Sequence, residues 1–258
     1  MVTRPDPVAL YPDVAAHGSL SAALRAVARE GFLAGEGFFS APVGSSADDP
    51  LRHAAVESTL PHRNALIVNS WTWKRRWSIR GEESYQGMAL VQGATEDLTQ
   101  VARAAQAWHD GVALGDIRRT APFVELTGRF EVPDNDPLRL TESEWRHLRT
   151  EADTLESPGE AYRALVEAAY AEPALRALYP FTSHWTLRFS TTTRRRRLSD
   201  VGLCLFAHDV DRYTVGENLT NDSVFARATT AREAVAAAVR HLRPGLGPVT
   251  LEAARVGD

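Results

Sequence analysis

An internal repeat of two strand-rich segments is the feature that most constrains how this chain can fold. Arg76-Trp-Ser-Ile79 aligns with Arg212-Tyr-Thr-Val215, and each is followed by a further strand and a helix. From these strands to the glycine after the helix, the two segments have 36 and 34 residues, so one gap of two residues aligns them. An Ala-rich chain can produce such matches by chance, but agreement in order, length and helix stop favours a duplication. The sequence therefore predicts one structural unit that is used twice.

Each copy is expected to be a four-stranded antiparallel meander followed by one helix across a sheet face. Apolar residues recur at a spacing of two in the strands and of three and four in the helices. The expected strands of the first copy are 52–59, 65–73, 76–80 and 88–92, and its helix starts at Thr95. Those of the second copy are 185–190, 201–207, 212–215 and 224–228, and its helix starts at Thr230. The alignment places Trp108 opposite Leu242. The predicted class is α+β, with a pseudo-twofold relation and a groove between the copies.

The chain divides into three segments around this repeat. Residues 1–120 hold an N-terminal helix and the first copy, residues 121–180 a helical insert, and residues 181–258 the second copy. Inside the insert, Thr141-Glu-Ser-Glu144 has the capping-box pattern, in which the first and fourth side chains bond the free N–H groups of a helix start. This pattern predicts a helix that opens at Thr141.

Composition and missing motifs exclude several classes of protein. The chain has 29 basic and 33 acidic residues, and a net charge of −4 argues against general nucleic-acid binding. No apolar run reaches the roughly 20 residues of a membrane helix, and the first residues lack the apolar stretch of a signal peptide, so we expect a cytoplasmic protein that binds no membrane. Cys204 is the only cysteine, which excludes an intrachain disulfide. Since no phosphate loop, nucleophile elbow or dinucleotide fingerprint is present, neither a cofactor nor a metal is predicted.

The strongest catalytic candidate is Tyr179-Pro-Phe-Thr-Ser-His184, which leads into the strand at Trp185. It places hydroxyl groups beside a histidine, a side chain that moves protons near neutral pH. Ser183 and His184 are therefore the predicted catalytic residues. In an extended segment, however, these two side chains point to opposite faces and cannot form a dyad with each other. A purely structural role, in which both bond nearby backbone groups, is the alternative.

A second candidate is Trp71-Thr-Trp-Lys-Arg-Arg-Trp77, which interleaves aromatic and cationic residues. Such residues hold a peptide or a flat ligand through stacking and cation–π contacts. The predicted substrate-binding residues are Trp71, Trp73, Arg76, Tyr85 and Arg188. The alternative is a hairpin with two core tryptophans and solvated arginines. Trp77 aligns with Tyr213, which indicates a structural role for it.

Two further features have simple alternatives. The arginine run Thr193-Arg-Arg-Arg-Arg-Leu198 either binds an anion or an acidic peptide, or forms a solvated loop because adjacent like charges repel. Cys204 falls inside an expected strand and is predicted to be an inert core residue.

Several segments together resemble an actinobacterial family of unknown function whose members are labelled natural-product biosynthesis proteins. They are Leu10-Tyr-Pro-Asp13, Gly93-Ala-Thr-Glu-Asp-Leu98, Glu167-Ala-Ala-Tyr-Ala-Glu-Pro173, Pro180-Phe-Thr-Ser-His184 and Pro244-Gly-Leu-Gly-Pro248. The first repeat also resembles, more faintly, the lysinoalanine-forming proteins of cinnamycin-type lanthipeptide clusters, which act as dimers on a modified peptide. The resemblance implies a role in peptide maturation. No catalytic residue is carried over from it.

Three functions are consistent with these residues. The first is an accessory protein of ribosomal peptide natural-product biosynthesis, a monomer or homodimer that holds a peptide in the groove between the repeats and assists cross-link formation by proximity. The second is a non-catalytic partner-binding module, either an immunity or a regulatory protein. The third is a hydrolase built on Ser183 or His184, for which the sequence offers no oriented base and no oxyanion loop.

Overall fold

Two compact units, Met1–Thr127 and Gly128–Asp258, make up the chain in a computed structural model. The structure describes residues 5–31, 49–155, 159–183, 186–193, 198, 200–217 and 223–251. Each unit is built on one five-stranded antiparallel sheet with helices on it, which confirms the α+β class.

The first unit carries three helices before its sheet and two more between the last two strands of that sheet. Its elements are α1 Pro7–Leu10, α2 Pro12–Ala16, α3 Leu20–Gly31, β1 His53–Val56, β2 Leu66–Ser70, β3 Trp77–Glu82, β4 Ala89–Thr95, α4 Leu98–His109, α5 Leu114–Thr120 and β5 Val124–Leu126. The strands are hydrogen-bonded in the order β1-β2-β3-β4-β5. Helix α4 begins where the Asp97 side chain accepts a hydrogen bond from the Thr99 N–H at 2.8 Å.

The core of the first unit lies between the sheet and helices α3 and α4. Leu66, Val68 and Trp77 are buried there. The indole of Trp108, on α4, packs directly on the backbone of Gly81, because a Cβ at that glycine would lie 2.7 Å from the ring. A side chain at that position of β3 would therefore push the helix off the sheet.

The second unit places its longest helices before its sheet. Its elements are α6 Pro137–Thr154, α7 Gly159–Ala171, α8 Pro173–Arg176, β6 Tyr179–Ser183, β7 Thr186–Ser190, β8 Asp200–Asp209, β9 Arg212–Gly216, β10 Val224–Ala228 and α9 Ala231–His241. The strand order is β10-β9-β8-β7-β6. Within the described ranges, no helix combines the length and the apolar character that crossing a membrane requires.

The expected insert, residues 121–180, is divided between the two units. Its short strand β5 pairs with β4 in the first unit. Helices α6 and α7 pack on each other and on β6, β8 and α9 in the second. A buried ion pair ties α6 to the chain that enters this unit, since the Arg129 guanidinium donates to both carboxylate oxygens of Glu144 at 2.7 and 2.8 Å.

The repeated unit is present in both halves as β1 to β4 with α4, and as β7 to β10 with α9. Each sheet gains a fifth strand that the sequence analysis left out of the meander: β5 is added beside β4, and β6 beside β7. The alignment of the two helices was wrong by one residue. Their N-caps, Asp97 and Thr230, place Trp108 opposite His241 rather than Leu242. The buried positions between Leu98 and Ala105 then coincide with those between Ala231 and Ala238, whereas the buried Trp108 falls opposite the exposed His241.

Two other local expectations need correction. Helix α6 opens four residues before Thr141, at Pro137, because the Asp136 side chain caps it and accepts from the Arg139 N–H. The Thr141 hydroxyl instead donates to the Pro137 carbonyl oxygen within the helix. The alternation of Thr186 and Ser190 with apolar residues predicts one solvated face for β7. Both side chains do lie on the face opposite the apolar core, but both are buried.

Candidate functional site

The segment from Trp71 to Arg76, here called the Trp-Arg loop, connects β2 to β3. The Trp71 N–H donates to the Arg76 carbonyl oxygen at 2.9 Å, so four residues form the turn between this pair. Trp71 is 42% exposed and Trp73 is 59% exposed, whereas Trp77 is fully buried. The interpretation of this segment as a hairpin with two core tryptophans therefore holds for Trp77 alone.

The hydroxyl of Tyr11 holds the backbone of the Trp-Arg loop. Its oxygen lies 2.8 Å from the carbonyl oxygen of Trp71, 2.9 Å from that of Arg76 and 3.1 Å from that of Lys74. It also accepts a hydrogen bond from the Arg76 N–H at 3.2 Å. Burial raises the pKa of Tyr11, so this hydroxyl keeps its proton and donates it to one carbonyl at a time. The loop is thus anchored to the junction of α1 and α2.

Carboxylates neutralise most of the cations around this loop. Arg75 donates to both oxygens of Asp13 at 2.6 and 2.9 Å, and its guanidinium lies 4.6 Å from the ring centre of Trp77. This hydrogen bond lowers the pKa of Asp13. Lys74 forms an ion pair with Glu96, which lowers the pKa of that carboxyl.

Arg76 has a different environment. Its guanidinium lies 4.8 Å from the ring centre of Trp71, a cation–π distance. One terminal nitrogen donates to the Ala94 carbonyl oxygen at 3.3 Å, and its Nε is buried without a hydrogen-bond partner among the described residues. In the part of the chain that the structure describes, Arg76 forms no ion pair with a carboxylate. The loop therefore carries two exposed indoles, and one of them, Trp71, contacts a cation that has no carboxylate partner among the described residues.

Tyr85, also predicted to bind substrate, does not lie beside Trp71, Trp73 and Arg76. It sits in the turn between β3 and β4, where its N–H donates to the Glu83 carboxylate at 2.6 Å. The whole of strand β3, six residues or about 20 Å at the usual rise per residue, separates this turn from the Trp-Arg loop.

The remaining predicted site residues belong to the second unit. Ser183 ends β6 opposite Thr186, and His184 lies outside the described residues, as do Trp185 and Arg194 to Arg197 of the arginine run. Arg188 lies on β7, forms an ion pair with Asp200 and is 5.9 Å from the ring centre of Phe181. The structure therefore places Arg188 against an acid of its own sheet.

Other reactive groups were also located. Cys204 is buried in β8, as expected, and burial raises the pKa of its thiol, which keeps it protonated. In the described parts of the chain, no three His, Cys, Asp or Glu side chains come close enough to hold a metal ion.

Sequence reasoning missed the groups that fix the loop. Tyr11 and Asp13 lie in Leu10-Tyr-Pro-Asp13, a segment quoted above for the resemblance without a role for either side chain. Their contacts with the loop join residues about sixty positions apart in the chain. Nothing in the local pattern marks such long-range partners.

Comparison with known proteins gives a partial match. The model of a family of unknown function, DUF6193, matches residues 139–253, which is less than half of the chain and lies within the second unit. The Trp-Arg loop is outside the matched residues. No curated protein matches the chain, and no solved structure matches it.

Proposed function

We propose that this protein binds a peptide through its Trp-Arg loop and acts as an accessory protein in the maturation of a ribosomally made natural product. The observation that carries the proposal is the exposure of Trp71 and Trp73 on a loop that the Tyr11 hydroxyl holds in place. Tryptophan and arginine supply a large share of binding energy at interfaces. A loop that is ordered before binding loses less conformational entropy when the peptide arrives.

The biosynthetic role rests on the resemblance to natural-product biosynthesis proteins described above. A bound peptide whose two reacting residues are held close together reacts faster without an elaborate set of catalytic groups, which is how we propose that the protein assists cross-link formation. The groove expected between the repeats stays a prediction, and the proposed contact surface is the loop of the first unit.

Native mass spectrometry tests this function. The protein is mixed with synthetic peptides encoded by the short open reading frames that flank its gene, and Trp73→Ala is compared with the unaltered chain. We expect one peptide to bind, and Trp73→Ala to weaken its binding by about 30-fold, the loss of about 2 kcal/mol typical of a central aromatic contact.

The matched control is Phe225→Ala, since Phe225 is 40% exposed on β10 of the other unit and stacks on His241. It should bind as the unaltered protein does. If no flanking peptide binds, or if Trp73→Ala binds as tightly as the control, the proposal fails. The partner-binding alternative then becomes the better one, and the same spectra report whether the chain is a monomer or a homodimer.

A further inference from the structure

We infer that the Trp-Arg loop selects peptides in which a carboxylate side chain stands next to an aromatic one, with the carboxylate paired to Arg76 and the aromatic ring packed on Trp71 and Trp73. This inference rests on the proposed function and adds to it the chemical class of the peptide.

The charges at the loop and its base are almost balanced. Among the described residues, Arg52, which donates to Thr72, lies there with Lys74, Arg75 and Arg76, and the first three have a carboxylate partner. Arg52 pairs with Asp49, Lys74 with Glu96, and Arg75 with Asp13. Arg76 is the cation left over among these four. A partner that brings one negative charge would complete the set.

Arg76 also lies beside an exposed ring, that of Trp71. A guanidinium has five N–H donors, and the Ala94 carbonyl uses one of them. Its guanidinium lies 4.8 Å from the ring centre of Trp71, an indole that is itself 42% exposed. A carboxylate that reaches Arg76 therefore brings the neighbouring residue of the peptide to the indole of Trp71, and Trp73, 59% exposed, follows two residues later on the same loop. An aromatic side chain at that neighbouring residue buries the most apolar surface against them.

Glu96 is a carboxylate within electrostatic reach of Arg76 in the described part of the chain. Lys74 is the main group that lowers the pKa of Glu96, through a direct hydrogen bond, and Arg76 contributes only a smaller charge effect. Glu96 is thus held by Lys74, and no described carboxylate forms an ion pair with Arg76.

A ligand-observed NMR titration, which measures Kd into the millimolar range, tests this selection. The probes are acetyl-Gly-Phe-Glu-Phe-Gly-amide and its uncharged match, acetyl-Gly-Phe-Gln-Phe-Gly-amide. We expect the full-length protein to bind the Glu peptide about fivefold more tightly, the effect of one charge-assisted hydrogen bond at a partly exposed site. Salt should reduce this preference, because it screens exposed charges.

Arg76→Gln should bind both peptides alike. The control Arg119→Gln removes a charge from an exposed site on α5, where Arg119 pairs with Asp116, and should keep the fivefold preference. If Arg76→Gln unfolds, Arg76→Lys, which keeps the charge but not the planar fork, should retain a reduced and salt-sensitive preference.

The outcomes separate this inference from the function beneath it. If the unaltered protein binds the Glu and Gln peptides equally, and Trp73→Ala weakens both, the acidic selection is overturned and peptide binding stands. If neither probe binds while a flanking-gene peptide does, the selection is also overturned. If no peptide of either kind binds, both proposals fail.

Discussion

The two units differ most at the connection between the second and third strands of the shared meander. In the first unit, four residues separate the paired Trp71 and Arg76, whereas in the second only Val210 and Asp211 separate β8 from β9. The third strand of each unit then has a buried aromatic residue as its first or second residue, Trp77 in β3 and Tyr213 in β9. Since a two-residue turn is enough to close this hairpin, the fold does not require the longer loop of the first unit. The extra length carries exposed groups, and that is where binding is to be sought.

The fourth strands also differ, but here the packing of the first unit restricts its sequence. Strand β4 has β5 beside it, and Gly93 faces the Phe123 backbone so closely that a Cβ would lie 2.4 Å from its carbonyl oxygen. The corresponding position of β10, an edge strand, is Ala226. The fifth strand of the first unit thus demands a glycine that the second unit does not need.

The largest expected effect comes from breaking the buried ion pair of the second unit. Glu144→Gln leaves the Arg129 guanidinium without its carboxylate in a site where both side chains are less than a tenth exposed. We expect the free energy of unfolding to fall by about 3–5 kcal/mol, because removing one partner of a buried ion pair is costly. Hydrogen exchange, followed separately in the two units, should show the loss in α6, α7 and the second sheet. An equal loss in the first sheet would contradict the assignment of α6 and α7 to the second unit alone.

The next largest effect is expected when the Trp-Arg loop is replaced with the shorter turn of the second unit. Replacing Thr72–Arg75 with Val-Asp, the turn of the second unit, should keep the first sheet folded and abolish peptide binding, a loss of at least about 2 kcal/mol for a central aromatic anchor. Binding and the circular dichroism spectrum are measured together. As a control, Asn-Gly in place of Val210 and Asp211 preserves a two-residue hairpin and should leave binding unchanged. Undiminished binding by the shortened loop would place the peptide elsewhere.

A smaller effect sharpens the comparison of the fourth strands. Gly93→Ala should destabilise the protein by about 2 kcal/mol in urea unfolding, because the Phe123 backbone must shift to admit a methyl group. Gly115→Ala is the control, since nothing lies within 4 Å of a Cβ there. If both variants unfold at the same urea concentration, β5 can shift at little cost, and its packing does not require a glycine at position 93 of β4.

The smallest expected effect concerns the partly exposed ion pair between Arg75 and Asp13 in the first unit. Arg75 lowers the pKa of Asp13 in the folded chain, so the pair stabilises the fold fully above the ordinary pKa of an aspartate. This stability is lost as the pH falls through the lowered folded pKa. Because Asp13 is nearly half exposed, the contribution is below about 1 kcal/mol.

The free energy of unfolding of the unaltered protein and of Asp13→Asn, measured between about pH 7 and pH 2, should therefore converge at the acid end. Asp116→Asn, which breaks an exposed pair on α5, controls for the general effect of removing a carboxylate. A constant difference between the unaltered protein and Asp13→Asn at every pH would show that Asp13 acts through something other than its charge.

The sequence predicted the elements whose signals are local. The helix start expected at Thr230 was confirmed by a capping box, since the Thr230 hydroxyl accepts from the Glu233 N–H and the Glu233 carboxylate accepts from the Thr230 N–H. The helix start expected at Thr141 was wrong because Asp136 and Pro137 provide an earlier start. Both fifth strands were left out of the meander because the repeat covers only four strands in each copy. Each fifth strand pairs with an outer strand of these four, β5 with β4 and β6 with β7.

The candidate site could be found from sequence only in part. The interleaving of aromatic and basic residues identified the Trp-Arg loop, and the repeat correctly indicated that Trp77 is buried. Which of the other tryptophans face solvent depends on Tyr11 and Asp13, whose distance along the chain hides them from any pattern within the loop. The placement of Tyr85 at the far end of β3 likewise follows from strand pairing rather than from composition.

The anchoring of the loop by Tyr11 has a practical side for anyone who prepares this protein. Trimming a few residues at the beginning of a chain, or fusing a purification tag there, is commonly regarded as harmless. Here a recombinant version that starts after Asp13 would keep every strand of both sheets and lose the hydroxyl that meets the carbonyls of Trp71 and Arg76. If such a version failed to bind a peptide, the result would reflect the loss of the Tyr11 hydroxyl and not the affinity of the intact protein.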